Sequence, residues 1–352
     1  MRKQQLQTFL QNSDFANAEL FPLAGDASNR CYIRAVLSDK KAMIMDSPLE
    51  GENFYAFIKI ADFLYKQGYS APRILARDIE NGFLLLEDLG DDSFSRVLQQ
   101  ATQIEAELYK SAIDVLVSWR TLVMPDANFP CELVSSFGKF SDVASSAKES
   151  LDTSLRWYDK SYNHELYLRE ITLFIDWFLP QAIGEEKAKD GRAEYIAIWQ
   201  EILNNTPLKT DILVHRDYHA DNLLWLPNRQ GIKRVGLLDF QDAVLGDPAY
   251  DIVSLLEDAR RDVSSELAQK MITYYVHKTD VDEGEFLTAY NVLAAQRNSK
   301  IMGIFARLAM RDGKTQYLNY QPRVWKYLQQ DVKHPALAKL ASWLDKNVKN
   351  IY

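Results

Sequence analysis

The sequence predicts an α+β fold with a small β-rich N-terminal part and a larger helical C-terminal part. Short apolar runs dominate residues 19–87, whereas apolar residues recur at helical spacing over most of the chain from residue 104 onward. A third observation is a group of polar residues flanked by short apolar runs between residues 212 and 241. The chain has 352 residues, 47% of them hydrophobic, so it can bury a core in each of two or three domains.

The first elements along the chain are strands and one helix. Strands are predicted at residues 31–37, 42–45, 71–75 and 82–86. The intervening segment 54–67 has apolar residues at helical spacing and is followed by Gly68, a typical residue just beyond a helix end. We therefore expect residues 1–88 to form a β-rich, nucleotide-binding N-terminal lobe.

The remaining residues, 89–352, are predicted to form a helical C-terminal lobe with the catalytic loop and the substrate site. Helices are predicted at 104–122, 165–179 and 192–203, and over most of the chain after residue 250. Segment 135–154 is rich in Ser, Asp and Lys and is interpreted as a linker or lid. Ligands often bind between domains, so we expect a cleft between the lobes.

The polar group begins at His215-Arg216-Asp217. Asn222 follows Asp217 by five residues, and Asp239 comes seventeen residues after Asn222. This spacing matches the phosphoryl-transfer pattern of a catalytic aspartate, an amide and a second aspartate. It predicts Asp217 as the base, His215 as a brace of the loop, and Asn222 and Asp239 as ligands of Mg²⁺. The alternative is a polar turn whose acids face solvent.

Two further segments are candidates for binding ATP. Residues 24–30 could form a turn in which the backbone N–H groups of Ala27, Ser28 and Asn29 face phosphate oxygens. An ordinary hairpin turn explains the same residues. After the strand at 82–86, backbone groups of Glu87 and Leu89 could pair with the adenine edge, or the strand could simply end in a polar turn.

Several arginines fall on the predicted C-terminal helices. Arg307 and Arg311 are four residues apart and therefore share a helix face. Two guanidinium groups on one face suit a carboxylate or a phosphate. A solvated surface or an internal ion pair is the alternative. The arginines considered are Arg260, Arg261, Arg297, Arg307 and Arg311.

Charge and composition exclude several classes of partner. The net charge of −8 argues against nucleic-acid binding, which needs a basic surface. The sequence contains no apolar run long enough to span a membrane, and the N-terminus has no apolar secretory core. Cys31 and Cys131 do not form a disulfide framework. We therefore expect a cytoplasmic enzyme with a small-molecule substrate, no nucleic-acid or membrane partner, and a monomeric or weakly dimeric state.

With these residues in view, the sequence resembles the aminoglycoside phosphotransferase and choline kinase-like family. Within it, the chain is most similar to bacterial anomeric kinases of N-acetylmuramate and N-acetylglucosamine in cell-wall recycling. The resemblance implies a protein-kinase-like bilobal fold and ATP-dependent phosphorylation of the anomeric hydroxyl of an amino sugar. It implies the same roles for Asp217, Asn222 and Asp239. The stretches that carry it are 25–30, 45–48, 82–90, 215–225, 238–243, 247–251 and 303–308.

The family usually has a lysine on its third strand, and this sequence lacks that lysine. Asp46 ends this strand, and the next helix carries Lys59. We hypothesise a charge-reversed pair of Asp46 with Lys59, in which Lys59 supplies the cation for ATP, with Arg30 as the rival. Further candidates for substrate contacts, beside Arg307 and Arg311, are His219 and Asp242.

Two other functions are compatible with the sequence. One is a kinase of another hydroxyl compound, such as choline, an aminoglycoside or homoserine. The arginines weigh against choline, because a cation needs an acidic and aromatic pocket, and they suit the lactyl carboxylate of N-acetylmuramate. The other is a catalytically silent scaffold, which the missing lysine favours and the intact Asp217, Asn222 and Asp239 oppose.

Overall fold

The computed structural model describes residues 2–23, 30–47, 53–122 and 161–348. These residues form two compact units, each assembled from separate stretches of sequence. The first contains the described residues up to Thr102 together with Asp221–Ala243. The second contains Gln103–Leu122 and the described residues of 161–220 and 244–348. The predicted lobe boundary after residue 88 stays a prediction.

The first unit is built on a five-stranded antiparallel sheet of β1 (Glu19–Pro22), β2 (Cys31–Leu37), β3 (Lys40–Asp46), β4 (Ile74–Asp78) and β5 (Phe83–Glu87). The order of the strands in the sheet is β1-β2-β3-β5-β4. Three predicted strands are confirmed as β2, β3 and β5, and β5 is apolar without alternation because four of its five residues are buried. The strand predicted at 71–75 begins only at Ile74, since Pro72 has no N–H for a ladder.

Three helices accompany this sheet: α1 (Arg2–Gln11), α2 (Asn53–Lys66) and α3 (Phe94–Gln100). Helix α1 buries Leu6, Phe9 and Leu10 in one cluster with sheet residues, and the Phe9 ring stacks on Phe83 at 5.8 Å between centroids. Helix α2 ends just before Gly68, whose φ of +86° explains the glycine at this position.

A two-stranded hairpin, β7 (Leu223–Trp225) and β8 (Val235–Leu237), also belongs to the first unit. The N–H of Leu237 donates to the carbonyl of Ser70 at 2.9 Å, and the Ser70 hydroxyl donates to the carbonyl of Lys233 at 2.7 Å. The two strands of the hairpin correspond to two of the short apolar runs that flank the polar residues in the sequence. Its association with the N-terminal strands depends on these contacts between residues more than 150 positions apart.

The second unit is mainly helical, as predicted, with one two-stranded ladder of β6 (Ile212–Val214) and β9 (Val244–Gly246). The helix predicted at 165–179 is interrupted by a π-helical segment, Phe174–Phe178. The described helices are α4 (Glu105–Trp119), α5 (His164–Leu173), α6 (Leu179–Ile183), α7 (Glu185–Asn205), α8 (Ala249–Leu256), α9 (Ser265–Thr279), α10 (Glu283–Asp312), α11 (Gln321–Asp331) and α12 (Ala338–Asn347).

The long helix α10 packs closely on α5. A Cβ atom at Gly303 would lie 2.2 Å from the carbonyl carbon and oxygen of Leu173, so this crossing requires glycine. The close approach brings polar residues of α10 next to Glu170 on α5. Packing of two helices thus places charged groups inside the second unit.

No helix within the described residues is both long and apolar enough to cross a membrane. The predicted linker or lid at 135–154 lies outside the described residues.

Candidate active site

The predicted catalytic loop, residues 215–220, follows strand β6 in the second unit and is held by a buried aspartate. The carboxylate of Asp251 on α8 accepts the backbone N–H groups of His215 at 2.6 Å and Arg216 at 2.9 Å. Arg216 has a φ of 76°, an uncommon conformation for a residue with a side chain, and the Asp251 contact stabilises it. Burial raises the pKa of Asp251 to about 7, although both backbone hydrogen bonds oppose this rise.

Asp217, the predicted base, is partly buried in this loop. Burial alone would raise the pKa of its carboxyl group. The attraction of Lys300, of His219 in its protonated form and of Arg297 outweighs burial and holds the pKa below its ordinary value. Asp217 is therefore ionised at neutral pH, the state that a proton acceptor needs.

A second buried carboxylate, Glu170 on α5, lies at the centre of a charged network. It accepts hydrogen bonds from the guanidinium of Arg216 and, at 3.1 Å, from the amide of Gln296. Lys300 Nζ lies 3.0 Å from Glu170 Oε1, and the hydroxyl of Tyr162 donates to Oε2. Burial would raise the pKa of Glu170, but Lys300 and Arg216 outweigh it and lower the pKa. Glu170 thus fixes the residue immediately before Asp217.

The aromatic and imidazole groups of the loop are buried. The hydroxyl of Tyr218 donates to the carbonyl of Ala112 at 2.9 Å, and the His215 ring packs edge-on against Tyr218 at 5.6 Å between centroids. The predicted bracing role of His215 agrees with this packing and stays a prediction. The His219 backbone N–H donates to the carbonyl of Asp217 at 3.0 Å.

In the first unit, the antiparallel hairpin brings Asn222 and Asp239 to one end. Leu223 pairs with Leu237, and the N–H of Leu238 donates to the carbonyl of Asn222 at 3.0 Å. Asn222 precedes β7 and Asp239 follows β8, so both polar residues lie where the two strands end. Asp239 is exposed and has a φ of 60°.

Gln241 connects this hairpin end to Arg30. The Gln241 amide donates to Asp239 Oδ1 at 2.8 Å, and its carbonyl oxygen accepts from Arg30 Nη1 at 2.9 Å. Gln241 and Arg30 are both buried. Helix α2 supports the same segment, because the Phe57 ring stacks on Phe240 at 5.0 Å between centroids. Arg30 is therefore held near a predicted metal ligand, as its proposed contact with phosphate requires.

The comparisons with known proteins agree with this arrangement of motifs. A family model described as "Phosphotransferase enzyme family" matches residues 19–287. The chain belongs to this family. A Caulobacter vibrioides protein named N-acetylmuramate/N-acetylglucosamine kinase is 35% identical over 97% of this chain and 95% of its own length. Three further relatives with 30–32% identity carry the same name.

Solved structures confirm the predicted protein-kinase-like fold. The gentamicin complex of APH(2")-IIa superposes with a TM-score of 0.60 and 16% identity over 92% of this chain and 95% of that chain. Choline kinase LicA from Streptococcus pneumoniae superposes with a TM-score of 0.57 and 13% identity, covering 93% of this chain and 99% of that chain. The predicted resemblance to aminoglycoside phosphotransferases and choline kinases is confirmed, and the chain is a phosphotransferase.

The donors at the hairpin end fit the magnesium that this phosphotransferase family implies. Asn222 offers an amide oxygen and Asp239 a carboxylate, and hard oxygen donors of this kind suit Mg²⁺. Magnesium bound with a nucleotide takes one or two protein ligands, the remainder being phosphate oxygens and water. The exposure of Asp239 is compatible with such a shared site.

The other residues predicted to bind nucleotide have different surroundings. Ala27, Ser28 and Asn29 lie outside the described residues. Lys59 is buried on α2. Asp46 accepts a hydrogen bond from Arg2, so it has a partner on α1, and its pairing with Lys59 stays a prediction.

At the predicted adenine-binding segment, the N–H of Glu87 already donates to the carbonyl of Arg73 at 2.8 Å. Its side chain pairs with Arg229 at 2.7 Å. Of the two backbone groups of Glu87, the carbonyl therefore remains for the adenine edge. Leu89 is partly buried just beyond β5.

The residues predicted to contact the acceptor fall in both units. Asp242 in the first unit is partly buried. Arg307 and Arg311 share helix α10 as expected, and Arg311 pairs with the adjacent Asp312 at 2.6 Å. His219 lies in the catalytic loop, where its Nε2 is 3.2 Å from Arg260 Nη1.

Asp251, Glu170 and Lys300 were not predicted from the sequence as site residues. One local signal existed for Asp251, because it is a lone acid in α8, whose residues are otherwise apolar apart from Ser254 and are all buried. No local sequence signal pointed to Glu170 or Lys300, because their contact joins positions far apart in sequence through the packing of α5 against α10.

Proposed function

We propose that this phosphotransferase uses ATP to phosphorylate the anomeric hydroxyl of N-acetylmuramate and/or N-acetylglucosamine, in cell-wall recycling. The observation that carries the proposal is the position of Asp217 in a loop whose backbone is held by Asp251, in a chain 35% identical to a relative named for these sugars. The charge of Lys300, which helps to keep Asp217 ionised, supports a role for this carboxylate as proton acceptor.

In the proposed reaction, the Asp217 carboxylate orients the sugar hydroxyl and receives its proton. The hydroxyl oxygen forms a bond to the γ-phosphorus while the bond from phosphorus to the ADP oxygen breaks. Because such transition states are loose, orientation contributes more than proton removal. The loop contacts of Asp251 and Glu170 therefore serve the reaction by limiting the positions available to Asp217.

Asn222 and Asp239 would hold Mg²⁺, with Gln241 orienting the Asp239 carboxylate. When bound, the ion neutralises charge on the nucleotide phosphates. Arg30 and Lys59 are the candidate cations for phosphate, and the backbone of Ala27, Ser28 and Asn29 would contribute donors. Glu87 and Leu89 would receive the adenine through backbone groups.

Five further residues belong to the same proposal. The acceptor would touch His219, Asp242, Arg307 and Arg311, and His215 would brace the loop. We also propose a cytoplasmic protein that is a monomer or a weak dimer.

The test is a panel assay with the purified full chain and Mg-ATP. The acceptors are N-acetylmuramate, N-acetylglucosamine, choline, an aminoglycoside and homoserine, and NMR identifies the phosphorylated position. We expect a sugar 1-phosphate from at least one amino sugar. Phosphorylation of choline alone would overturn the sugar assignment, and no product from any acceptor would favour a silent scaffold.

A further inference from the structure

An arginine on β2 bridges two aspartates that follow β5 in the first unit. Arg34 Nε donates to Asp88 Oδ2 at 2.6 Å, and its Nη2 donates to Asp88 Oδ1 at 3.2 Å. The same guanidinium donates to both carboxylate oxygens of Asp91, from Nη1 at 2.9 Å and from Nη2 at 2.7 Å. Charge-assisted contacts of this bidentate kind are strong and fix geometry. We call Arg34, Asp88 and Asp91 the arginine bridge.

The arginine bridge crosses the sheet face opposite α1. Arg34 pairs with Met43 on β3, and Met43 pairs with Leu86 on β5, so these three side chains lie in one row on one face. The adjacent row, which begins at Ile33, points to the other face and packs in the cluster with α1. Arg34 therefore reaches from β2 across β3 to the residues that follow β5.

The segment between the two aspartates has a fixed backbone. Asp88 Oδ1 also accepts the N–H of Gly90 at 2.9 Å, and Gly90 has a φ of +87°, which glycine adopts without strain. The carbonyl of Asp91 accepts the N–H of Ser93 at 2.9 Å. Within the described part of the chain, neither the N–H nor the carbonyl of Leu89 makes a hydrogen bond. The arginine bridge thus holds Leu89 from both sides and leaves its backbone groups for a ligand.

The two aspartates of the bridge differ in exposure. The side chain of Asp88 is 4% exposed, whereas that of Asp91 is 51% exposed. The hydrogen bond from Arg34 lowers the pKa of Asp91 and outweighs burial, so this carboxylate is ionised at neutral pH. A substitution of Asp91 can therefore weaken the bridge without leaving a buried charge unpaired.

Adenine and hypoxanthine present opposite hydrogen-bonding groups on the edge that the segment would meet. Adenine has an acceptor at N1 and an amino donor on C6, whereas hypoxanthine has an N–H donor at N1 and a carbonyl acceptor on C6. The Leu89 N–H can donate to adenine N1 while the Glu87 carbonyl accepts from the amino group. The same two groups oppose hypoxanthine, which would pair only if the segment shifted. A segment fixed in advance therefore favours adenine.

We propose that Arg34 is a positioning residue of the nucleotide site, which fixes the backbone of Leu89 for the adenine edge and thereby favours adenine over hypoxanthine. The inference rests on the proposed function, which assigns the adenine to Glu87 and Leu89. Arg34 acts through Asp88 and Asp91 and touches neither the base nor the phosphates. Its loss should therefore change discrimination between bases.

The test measures binding of ADP and of inosine diphosphate, each with Mg²⁺, to the full chain by calorimetry without an acceptor. Inosine diphosphate carries hypoxanthine and is otherwise identical to ADP. Arg34→Met should reduce the preference for ADP by about 3- to 10-fold, the effect of losing one hydrogen bond. Arg34→Lys should retain part of the preference, because an ammonium group cannot make both bidentate contacts. Asp91→Ala, which removes the exposed half of the bridge, should change the preference in the same direction by less.

Arg77→Met is the matched control, because Arg77 on β4 of the same sheet pairs with Asp62 at 2.7 Å. This variant should keep the wild-type preference. An unchanged preference in Arg34→Met would overturn the inference and leave the kinase assignment intact. Equal weakening of both nucleotides, or a wild-type chain that binds both equally, would do the same.

Should Arg34→Met fail to fold, Asp91→Ala decides the question, and an unchanged preference in that variant overturns the inference. A wild-type chain that binds neither nucleotide would overturn the proposed function as well.

Discussion

The catalytic loop of the second unit and the hairpin end of the first unit carry the predicted site residues in different environments. The loop is fixed by buried carboxylates: Asp251 holds its backbone and Glu170 holds Arg216. At the hairpin end, the carboxylate of Asp239 is exposed and is approached by the amide of Gln241. A base must have a fixed position and charge before substrate arrives, whereas a metal ligand must remain accessible to an ion that enters with its nucleotide.

The comparison predicts that the largest loss of activity comes from the loop. Asp217→Asn keeps the size of the side chain but removes the proton acceptor. We expect kcat to fall by roughly 10²- to 10⁴-fold, the range typical of general bases, with the thermal unfolding curve little changed. Asp211→Asn, at an exposed position just before β6, is the control. If Asp217→Asn kept the full wild-type activity, the proposed difference between the loop that fixes a base and the hairpin end that offers metal ligands would be wrong.

The hairpin end should instead respond through magnesium. Gln241→Leu removes the donor to Asp239 and the acceptor for Arg30. We expect the Mg²⁺ concentration for half-maximal rate to rise by about 10- to 100-fold, as for other residues that orient a metal ligand. Saturating Mg²⁺ should restore most of kcat.

Gln230→Leu, at an exposed position of the same unit, should leave the Mg²⁺ titration unchanged. A fall in kcat that high Mg²⁺ cannot restore would show that Gln241 acts on something other than the metal ligand.

The two regions also differ in how far sequence could predict them. The spacing of Asp217, Asn222 and Asp239 is local, and each follows or precedes a short apolar strand, so the motif and its strands were predictable. The bracing of the loop was not, because Glu170 on α5 contacts Arg216, 46 positions later, and contacts Lys300 through the crossing of α5 and α10 at Gly303. Periodicity predicts that such helices exist but not which of their polar residues meet.

The attachment of the hairpin to the N-terminal strands was missed for the same reason. Its contacts run through Ser70 and Arg229, two residues without any distinctive local pattern. Phe57 against Phe240 is another contact of this kind. Long-range packing of ordinary residues is thus the part of the fold that a single sequence does not reveal.

A substitution of Lys300 tests whether its positive charge helps to keep Asp217 ionised before substrate binds. Lys300→Met removes a cation that lowers the pKa of Asp217, so this pKa should rise. Because the carboxylate is the active form, activity should be lost at a higher pH on the acidic side. We expect the acidic limb of kcat/KM, measured between pH 4 and 8, to move to higher pH in this variant.

The other ionisable groups acting on Asp217 remain in this variant: His219, Arg297, His215 and Asp251. Lys339→Met, which removes an exposed ion pair with Glu201, is the control and should leave the profile in place. An acidic limb that stays at the wild-type pH in Lys300→Met would mean that Lys300 acts only in packing.

The second unit also buries two carboxyl groups away from the loop, those of Glu257 and Asp331. The smallest predicted effect concerns how these two groups make the stability of the protein depend on pH. Asn298 donates to Glu257 at 2.7 Å and to Asp331 at 2.9 Å. Burial raises the pKa of Glu257 to about 6, and burial and the charge of Glu257 raise the pKa of Asp331 well above its ordinary value. Since the folded state holds these protons more tightly than the unfolded state, the pair's contribution to stability falls as pH rises.

Asp331→Asn removes one of these titrating groups. Relative to wild type, the free energy of unfolding of this variant should therefore improve from pH 5 to pH 8. Urea unfolding at the two pH values measures the difference, with Asp345→Asn, at an exposed position, as the control. A difference that does not change with pH would mean that Asp331 titrates alike in the folded and unfolded chain. The contrast between buried and exposed carboxylates would then be confined to the catalytic loop.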